Sequence, residues 1–440
     1  MRRTPKSSDA ALDTVFSFLK TNNPIMSNSI IIGTGEIVAP PPWPRALPAL
    51  IRNDTEALAA ARALAALAAP GAVERDRLDV FPMAELDAYS ASGLWGVTVP
   101  RSHGGAGISY VTLGQVARII SVVDSALAQL TQNHWATVAV IASCGDAAQQ
   151  ADLFARVLEG RRFGNAFSEK GVSNVDALKT HLTWDGDSVF ITGVKHYSSG
   201  ALAADLVQIV ALDDYGKAWL AGAERDAPGL TVINDWTSFG QRGTGSGQLV
   251  VDHVRVPAKR VIPAWRAYLP EAPTADSAIS QFIQAAIDAG IAEGALTETK
   301  KFIHTRARRW IDAPGEKASD DPYTIQAIGG LHARLAAANA LLDIAGRAID
   351  AAVAAPDAST VASAQVAVAK AKILTTEIAV ESANTLFALG GTASTDRNLA
   401  LDRYWRNART HTLHDPVRWK YAIVGDYYLN GRNPPLHPWS

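Results

Sequence analysis

The chain has 440 residues, with 41 Lys and Arg against 43 Asp and Glu, a formal charge of −2, 48% hydrophobic and 19% charged residues. That length suits two or three packed units, and the balanced charge excludes a global basic field for nucleic acid. A single cysteine, Cys144, excludes an internal disulfide framework and any Cys-x-x-Cys site. Polar residues break the apolar stretches before bilayer-spanning length, and MRRTPKSSDAALDTVFSFLKTNNP lacks the apolar core of a secretory signal. A soluble, cytoplasmic enzyme is expected.

Residues 1–53 read as an N-terminal arm, partly disordered, because GTGEIVAPPPWPRALP is too rich in Gly and Pro for regular structure; Met26 is a candidate start. From Asp54 the pattern changes. DTEALAAARALAALAAPG opens on a capping-type Asp, runs in Ala and Leu at helical spacing and stops at Pro70-Gly71. Helices follow in MAELDAYSASGLWG and over 112–124 and 125–144, giving an N-terminal helical domain over 54–160.

Over 161–272 the pattern shortens to β-branched and aromatic runs separated by turn residues: THLTWDG, SVFITGVKHYSS, LVQIVALDD, AWLAGAE, GLTVIND and GQLVVDHVRVP. Asp185-Gly186 and Asp213-Asp214 fall where hairpins need turns. A central β-barrel domain is predicted. Residues 273–440 return to helix, with long segments at 280–310, 323–354 and 359–389, and predict a C-terminal four-helix bundle that completes its burial against other subunits. The fold class is therefore α+β, helices on either side of a β-unit.

Four places carry chemistry. In NARTHTLHDPVRWK, His411 and His414 are three apart and Asp415 follows, compatible with a metal half-site, an acid/base pair or a polar helix end; Pro416 puts them at a helix-to-loop junction. In the β-unit, Asn165 and Ser168, Ser198 and Ser199, and Trp236 with Thr237 and Ser238 combine hydroxyl or amide groups with Gly-permitted turns. They suit the polar edge of a heterocycle, or are ordinary turn residues. Arg306, Arg308 and Arg309 stand at the end of a long helix, as caps for its carbonyls or as a phosphate clamp. His134 in TQNHW lies on an apolar helix, as a core histidine or beside a pocket.

The order of the three units, with GVKHYSSGALAAD, GQRGTGSGQLVVDHVRVP and LGGTASTDRNLALDRYWRNAR, resembles the acyl-CoA dehydrogenase superfamily of flavoproteins from about Asp54 to the C-terminus. The resemblance implies a flavin between barrel and bundle, and a homotetramer. Dehydrogenases of that superfamily carry a Glu base, whereas the matching stretch here ends Leu413-His414-Asp415-Pro416. THTLHDP, GLWGVTVPRSHGGAGISY and RFGNAFSEKG look more like the reduced-flavin monooxygenases of dibenzothiophene monooxygenase type, closest to the sulfur-acquisition branch associated with sulfone use.

This implies reduced FMN from a separate NAD(P)H:flavin reductase, reacting with O2 through a C4a-hydroperoxyflavin, and a small organosulfur substrate such as a sulfone or sulfide. By motif, Ser199 is expected near flavin N5, Asn165, Ser168 and Trp236 in the flavin pocket and Arg308 on the phosphate. His414 is expected beside the reactive carbon, with His411 close by and His134 on the opposite wall. Ala393, where thiophene-oxidising relatives carry Arg, and Arg309, in place of Pro, separate the chain from those enzymes. The runner-up is an FAD-dependent acyl-CoA dehydrogenase with Asp415 as base, and a third reading is a non-catalytic flavin-binding relative.

Overall fold

Asn53 opens the first described helix, α1 (Asp54–Ala68), by accepting the Glu56 N–H with its side chain. The computed structural model describes residues 30–43 and 45–440, so Met26 and the first part of the expected arm lie outside the described residues. Asp54, expected as the cap, instead accepts the backbone N–H and hydroxyl of Ser109 at 3.1 and 2.7 Å and ties α1 to the start of α4 (Tyr110–Val123). Pro70 and Gly71 make a single tight turn before a further short helix, α2 (Ala72–Arg77).

Contrary to expectation, the continuous stretch Asp54–Arg77 is long and apolar enough by composition to cross a membrane. Here Ala57, Ala61, Leu64 and Ala68 form one helical face buried in the N-terminal core. The remaining helices of this unit are α3 (Met83–Ser92), α5 (Ser125–Cys144) and α6 (Ala147–Leu158), the last not separated by the sequence reading. Asp124 and Asp146 cap α5 and α6 with their carboxylates. The described part of the arm is fastened down: Ile31 bridges Val80, Ile37 bridges Ile233, and Ile32 and Ile51 are buried.

The central unit is one sheet of eight strands: β1 (Phe163–Ala166), β2 (His181–Asp185), β3 (Ser188–Lys195), β4 (Leu206–Leu212), β5 (Ala218–Glu224), β6 (Leu230–Ile233), β7 (Gln248–Pro257) and β8 (Val261–Ile262). Their order is β6-β7-β3-β2-β4-β5-β8, with β1 added parallel to β4. No ladder joins β6 to β8, so the expected barrel is open along that seam. Both predicted hairpin turns are present. Gly186 at φ 57° turns β2 into β3, and the Asp213 carboxylate accepts the Tyr215 and Lys217 N–H groups between β4 and β5. Strand β1, read from sequence as a polar turn, pairs with β4 in a register that sets Asn165 beside Gln208.

The third unit contains α7 (Asp276–Thr305), α8 (Pro322–Ala354), α9 (Ala358–Gly390), α10 (Asp402–His411) and α11 (Arg418–Asn430). Helix α7 is buried nearly all round, between α4 and α5 on one side and α8 and α9 on the other. The fourth bundle helix is the short α11 against α9. Helix α7 ends at Thr305 and not near residue 310, because Ile303 is its last buried apolar side chain. Arg306 is the C-cap, its N–H bonded to the Phe302 carbonyl at 2.8 Å, and Arg308 and Arg309 lie beyond the helix.

Gly93, at φ 80°, ends α3 and aims the next turn so that the carbonyls of Leu94 and Trp95 meet Trp135 and His134. A Cβ there would lie 2.1 Å from the Ala49 carbonyl oxygen. Gly93→Ala is expected to destabilise the protein by about 1–3 kcal/mol in urea unfolding. A loss below about 0.5 kcal/mol would mean that the segment at residues 48–50 yields to the methyl group.

Candidate active site

Where the sheet faces α5 and α7, the two units do not close on each other and leave a cavity of about 500 Å³. Its walls come from α5, from β1, β4 and β5, from the first turns of α7 and from the C-terminal segment 436–439. Asn165, Ser168 and Gln208 line the sheet side, Ser280 and Gln281 the α7 side, and His414 a third. The Trp439 ring meets Phe167 edge-on at 5.4 Å, and Lys420 donates to the Trp439 carbonyl at 2.5 Å, so the chain end is held against the cavity.

The two histidines of THTLHDP have different surroundings. Helix α10 ends at His411, and Thr412–Asp415 turn away from it with the His414 N–H bonded to the His411 carbonyl at 3.1 Å. The pair therefore does not share a helical face as the spacing predicts. His411 is buried, with Nδ1 2.5 Å from Asp288 Oδ1 and Nε2 2.9 Å from Gln129 Oε1. His414 is partly exposed, lines the cavity, and has Nδ1 3.5 Å from Asp415 Oδ1.

Behind them lies a charge network that the sequence reading missed. Lys372 on α9 donates to Asp288 on α7 at 2.9 Å, and both side chains are wholly buried. Burial alone would raise the Asp288 carboxyl, but the Lys372 ammonium and His411 outweigh it and hold it below its ordinary value. Burial depresses Lys372 in turn, yet Asp288 and Asp415 pull it above its ordinary range, while burial keeps His411 low. Asp415 lies 3.4 Å from the Lys420 ammonium. With its amide nitrogen turned inward, Gln281 donates to both Asp415 oxygens at 3.1 Å. Burial works to raise Asp415, but His414, Lys372 and Lys420 hold it well below the carboxylate range.

The remaining predicted residues divide. His134 lies outside the cavity lining: it is fully buried, its Nε2 meets the Trp95 carbonyl at 3.1 Å, and its Nδ1 accepts the Phe163 N–H at 3.1 Å. Burial lowers its pKa to about 3, so it is a neutral clamp between the N-terminal unit and β1 and not a cavity wall. Ser199 and Trp236 also stand outside the cavity lining. The Ser199 hydroxyl pairs with Ser246 at 2.6 Å, Ser246 donates to Thr244 at 2.8 Å, Thr244 donates to the Gln241 carbonyl at 2.8 Å, and the Trp236 indole donates to that same carbonyl at 3.0 Å. Arg308 lines a different cavity, of about 740 Å³, with Gly390, Gly391 and Ala393. Among the described residues no group of three His, Cys, Asp or Glu side chains is placed to hold a metal, and His411 spends both ring nitrogens on Asp288 and Gln129.

The models of the acyl-CoA dehydrogenase N-terminal domain and C-terminal domain match residues 53–161 and 282–419. A dibenzothiophene monooxygenase of Rhodococcus erythropolis is 34% identical over 396 residues, 87% of this chain and 95% of that one. The chain belongs to the acyl-CoA dehydrogenase superfamily. Within it, the protein is a flavin-dependent monooxygenase, similar also to the probable FMNH2-dependent monooxygenase SfnC of Pseudomonas putida, 31% identical over 86% of this chain and 96% of that one. The crystal structure of FMN-bound TdsC from Paenibacillus sp. A11-2 matches with a TM-score of 0.83 and 31% identity, covering 87% of this chain and all of that one. The superfamily's dehydrogenase option fails on Asp415: an ion-paired carboxylate held below its ordinary pKa and absent from the cavity lining is a poor proton acceptor.

Removing one partner from the buried network strands the others. Lys372→Met is expected to cost about 3–5 kcal/mol. Because the folded-state pKa of Asp288 lies below its ordinary 3.8, its contribution is present above that value and lost as pH falls further. Without Lys372, burial raises Asp288, so the acid-unfolding midpoint followed by circular dichroism should move to higher pH. An unmoved midpoint would show that Lys372 does not govern Asp288.

Proposed function

We propose that the protein is the oxygenating component of a two-component monooxygenase, using FMNH2 from a separate NAD(P)H:flavin reductase on a small organosulfur compound, a sulfone, sulfide or related molecule, in sulfur acquisition. The observation that carries this reading is the division of labour at THTLHDP: His414 lines the cavity while the only carboxylate of that stretch, Asp415, is tied down in an ion pair. The cavity also suits a flavin ring. Its sheet wall carries the Asn165 and Ser168 side chains, and the buried Gln208 Nε2 has no protein partner. When bound, reduced FMN would supply the electrons that activate O2.

The chain's own residues then have three tasks. Asn165, Ser168 and Gln208 bind and orient the ring along the sheet wall. Phe167, Leu436 and Trp439 exclude water from one side of the cavity. His414, with Nδ1 facing Asp415, has Nε2 free to hold or deliver a proton at the reacting oxygen. His411 does not reach the cavity and serves by fixing the turn that presents His414.

Arg308, exposed on the second cavity beside Gly390–Ala393, is proposed to meet the flavin phosphate of a neighbouring copy in a homotetramer. Exposed Ile325 and Ile344 on α8 and Trp419 and Tyr428 on α11 support burial of the bundle against other copies.

The test combines the purified chain with a flavin reductase, NADH, FMN and a panel of sulfones, sulfides and thiophenes, with products read by mass spectrometry. Oxygenated product is expected with FMN and not with FAD. His414→Ala should lower its formation about 100-fold or more while FMN affinity changes less than about threefold. Undiminished product in that variant would remove His414 from the chemistry, and oxidation of an acyl-CoA in place of the panel would overturn the reading.

A further inference from the structure

On the α7 side of the cavity two serines stand one helical turn apart, Ser277 and Ser280, and both line it. Each hydroxyl oxygen is already engaged by a buried glutamine from a neighbouring helix. Gln132 of α5 donates its Nε2–H to Ser280 Oγ at 2.9 Å, and Gln365 of α9 donates its Nε2–H to Ser277 Oγ at 3.2 Å. The same Gln132 nitrogen lies 3.3 Å from the Ser280 main-chain carbonyl, which can only accept, so the amide meets Ser280 with its nitrogen. A hydroxyl has one hydrogen, and among the described residues neither serine donates it to a protein acceptor. Side chains three apart on a helix lie about 5–6 Å from each other, so the α7 wall carries two neutral O–H donors at that separation.

We propose that Ser277 and Ser280 form a subsite for a substrate whose sulfur already carries two oxygens, each hydroxyl donating to one of them. The proposal rests on the monooxygenase reading above and narrows its substrate class. Two O–H···O bonds of about 2.7 Å converge from donors so spaced onto oxygens borne by a single atom. A sulfone and a sulfinate both offer such oxygens, whereas a sulfide or a thiophene offers none and would leave both donors unpaired. The alkyl part has its own place, because Ala136, Val140, Val210 and Leu220 line the same cavity. Ser277 and Ser280 are thus specificity residues. Gln132 and Gln365 are positioning residues: they stand behind the serines, outside the cavity lining, and by engaging each hydroxyl oxygen they turn its hydrogen toward the cavity.

The experiment measures binding of dimethyl sulfone, methanesulfinate and dimethyl sulfide to the FMN-loaded protein by isothermal titration calorimetry. Turnover of each is measured in parallel with added reductase. At least one of the two oxygen-bearing compounds should bind the wild type about tenfold or more tighter than the sulfide, and the tighter of them tells whether the group arrives neutral or charged. Ser280→Ala should weaken that compound about fivefold or more and leave the sulfide within about threefold, whereas Ser280→Thr keeps a hydroxyl and should keep most of the affinity. Ser277→Ala should act in the same direction. Gln132→Met, which alters no cavity wall, should weaken the same compound about threefold or more and spare the sulfide, where a merely structural loss would weaken both. Sulfide binding as tight as that of both oxygen-bearing compounds by the wild type, or an unchanged ratio in Ser280→Ala, overturns the inference; oxygenation of a sulfide or thiophene would then leave the monooxygenase reading standing. Because the wild-type comparison is itself decisive, the proposal does not depend on the variants folding. Selective binding of an oxygen-bearing compound with no oxygenation of any organosulfur compound sinks the monooxygenase reading and leaves the subsite.

Discussion

Asp288 sits at the middle of the most enclosed helix of the molecule and is met there by an ammonium from α9 and an imidazole from α10. A carboxylate so far from water persists only because those partners compensate it; burial alone would protonate it. Gln129 on α5 takes the other imidazole nitrogen, so four helices from the first and third units meet at one polar knot inside an otherwise apolar interior. Hydrophobic burial brings α7 together with its neighbours but does not specify their rotation. Directional bonds at Asp288 do, and they fix the end of α10 from which the THTLHDP turn departs.

That turn separates two imidazoles that the sequence makes look equivalent. His411 is consumed by structure, and His414, one turn later and past the helix end, is left at the cavity wall. Asp415 repeats the pattern on a smaller scale. It is the residue that would serve as base in a dehydrogenase, and here Lys420 and Gln281 occupy it. The geometry thus removes one chemistry from the fold and leaves room for another without changing the architecture.

The units themselves were legible because hydrophobic period reports burial directly: alternating runs became β2 to β7, and the helix at 125–144 matches α5 residue for residue. What period cannot report is partnership. Gln129, Asp288 and Lys372 are scattered single polar residues in apolar helices, and nothing local marks them as one network. Nor does a motif report that both His134 nitrogens are satisfied in the core, by the Trp95 carbonyl and the Phe163 N–H. Strand β1 was hidden because FGNA is short and half polar, yet its pairing with β4 is what sets Asn165 beside Gln208. The arginines after α7 were assigned to a helix end that stops earlier, where the apolar face runs out.

The hydroxyl chain beneath Trp236 has a polarity of its own. Thr244 gives its hydrogen to a carbonyl, Ser246 gives its hydrogen to Thr244, and Ser199 is left to give its hydrogen to Ser246. Every proton along the row is therefore committed in one direction, and the oxygen at its head keeps only lone pairs to offer. Whatever polar group approaches the Ser199 oxygen must arrive carrying hydrogen, a requirement set through Ser246 and Thr244 by a main-chain oxygen.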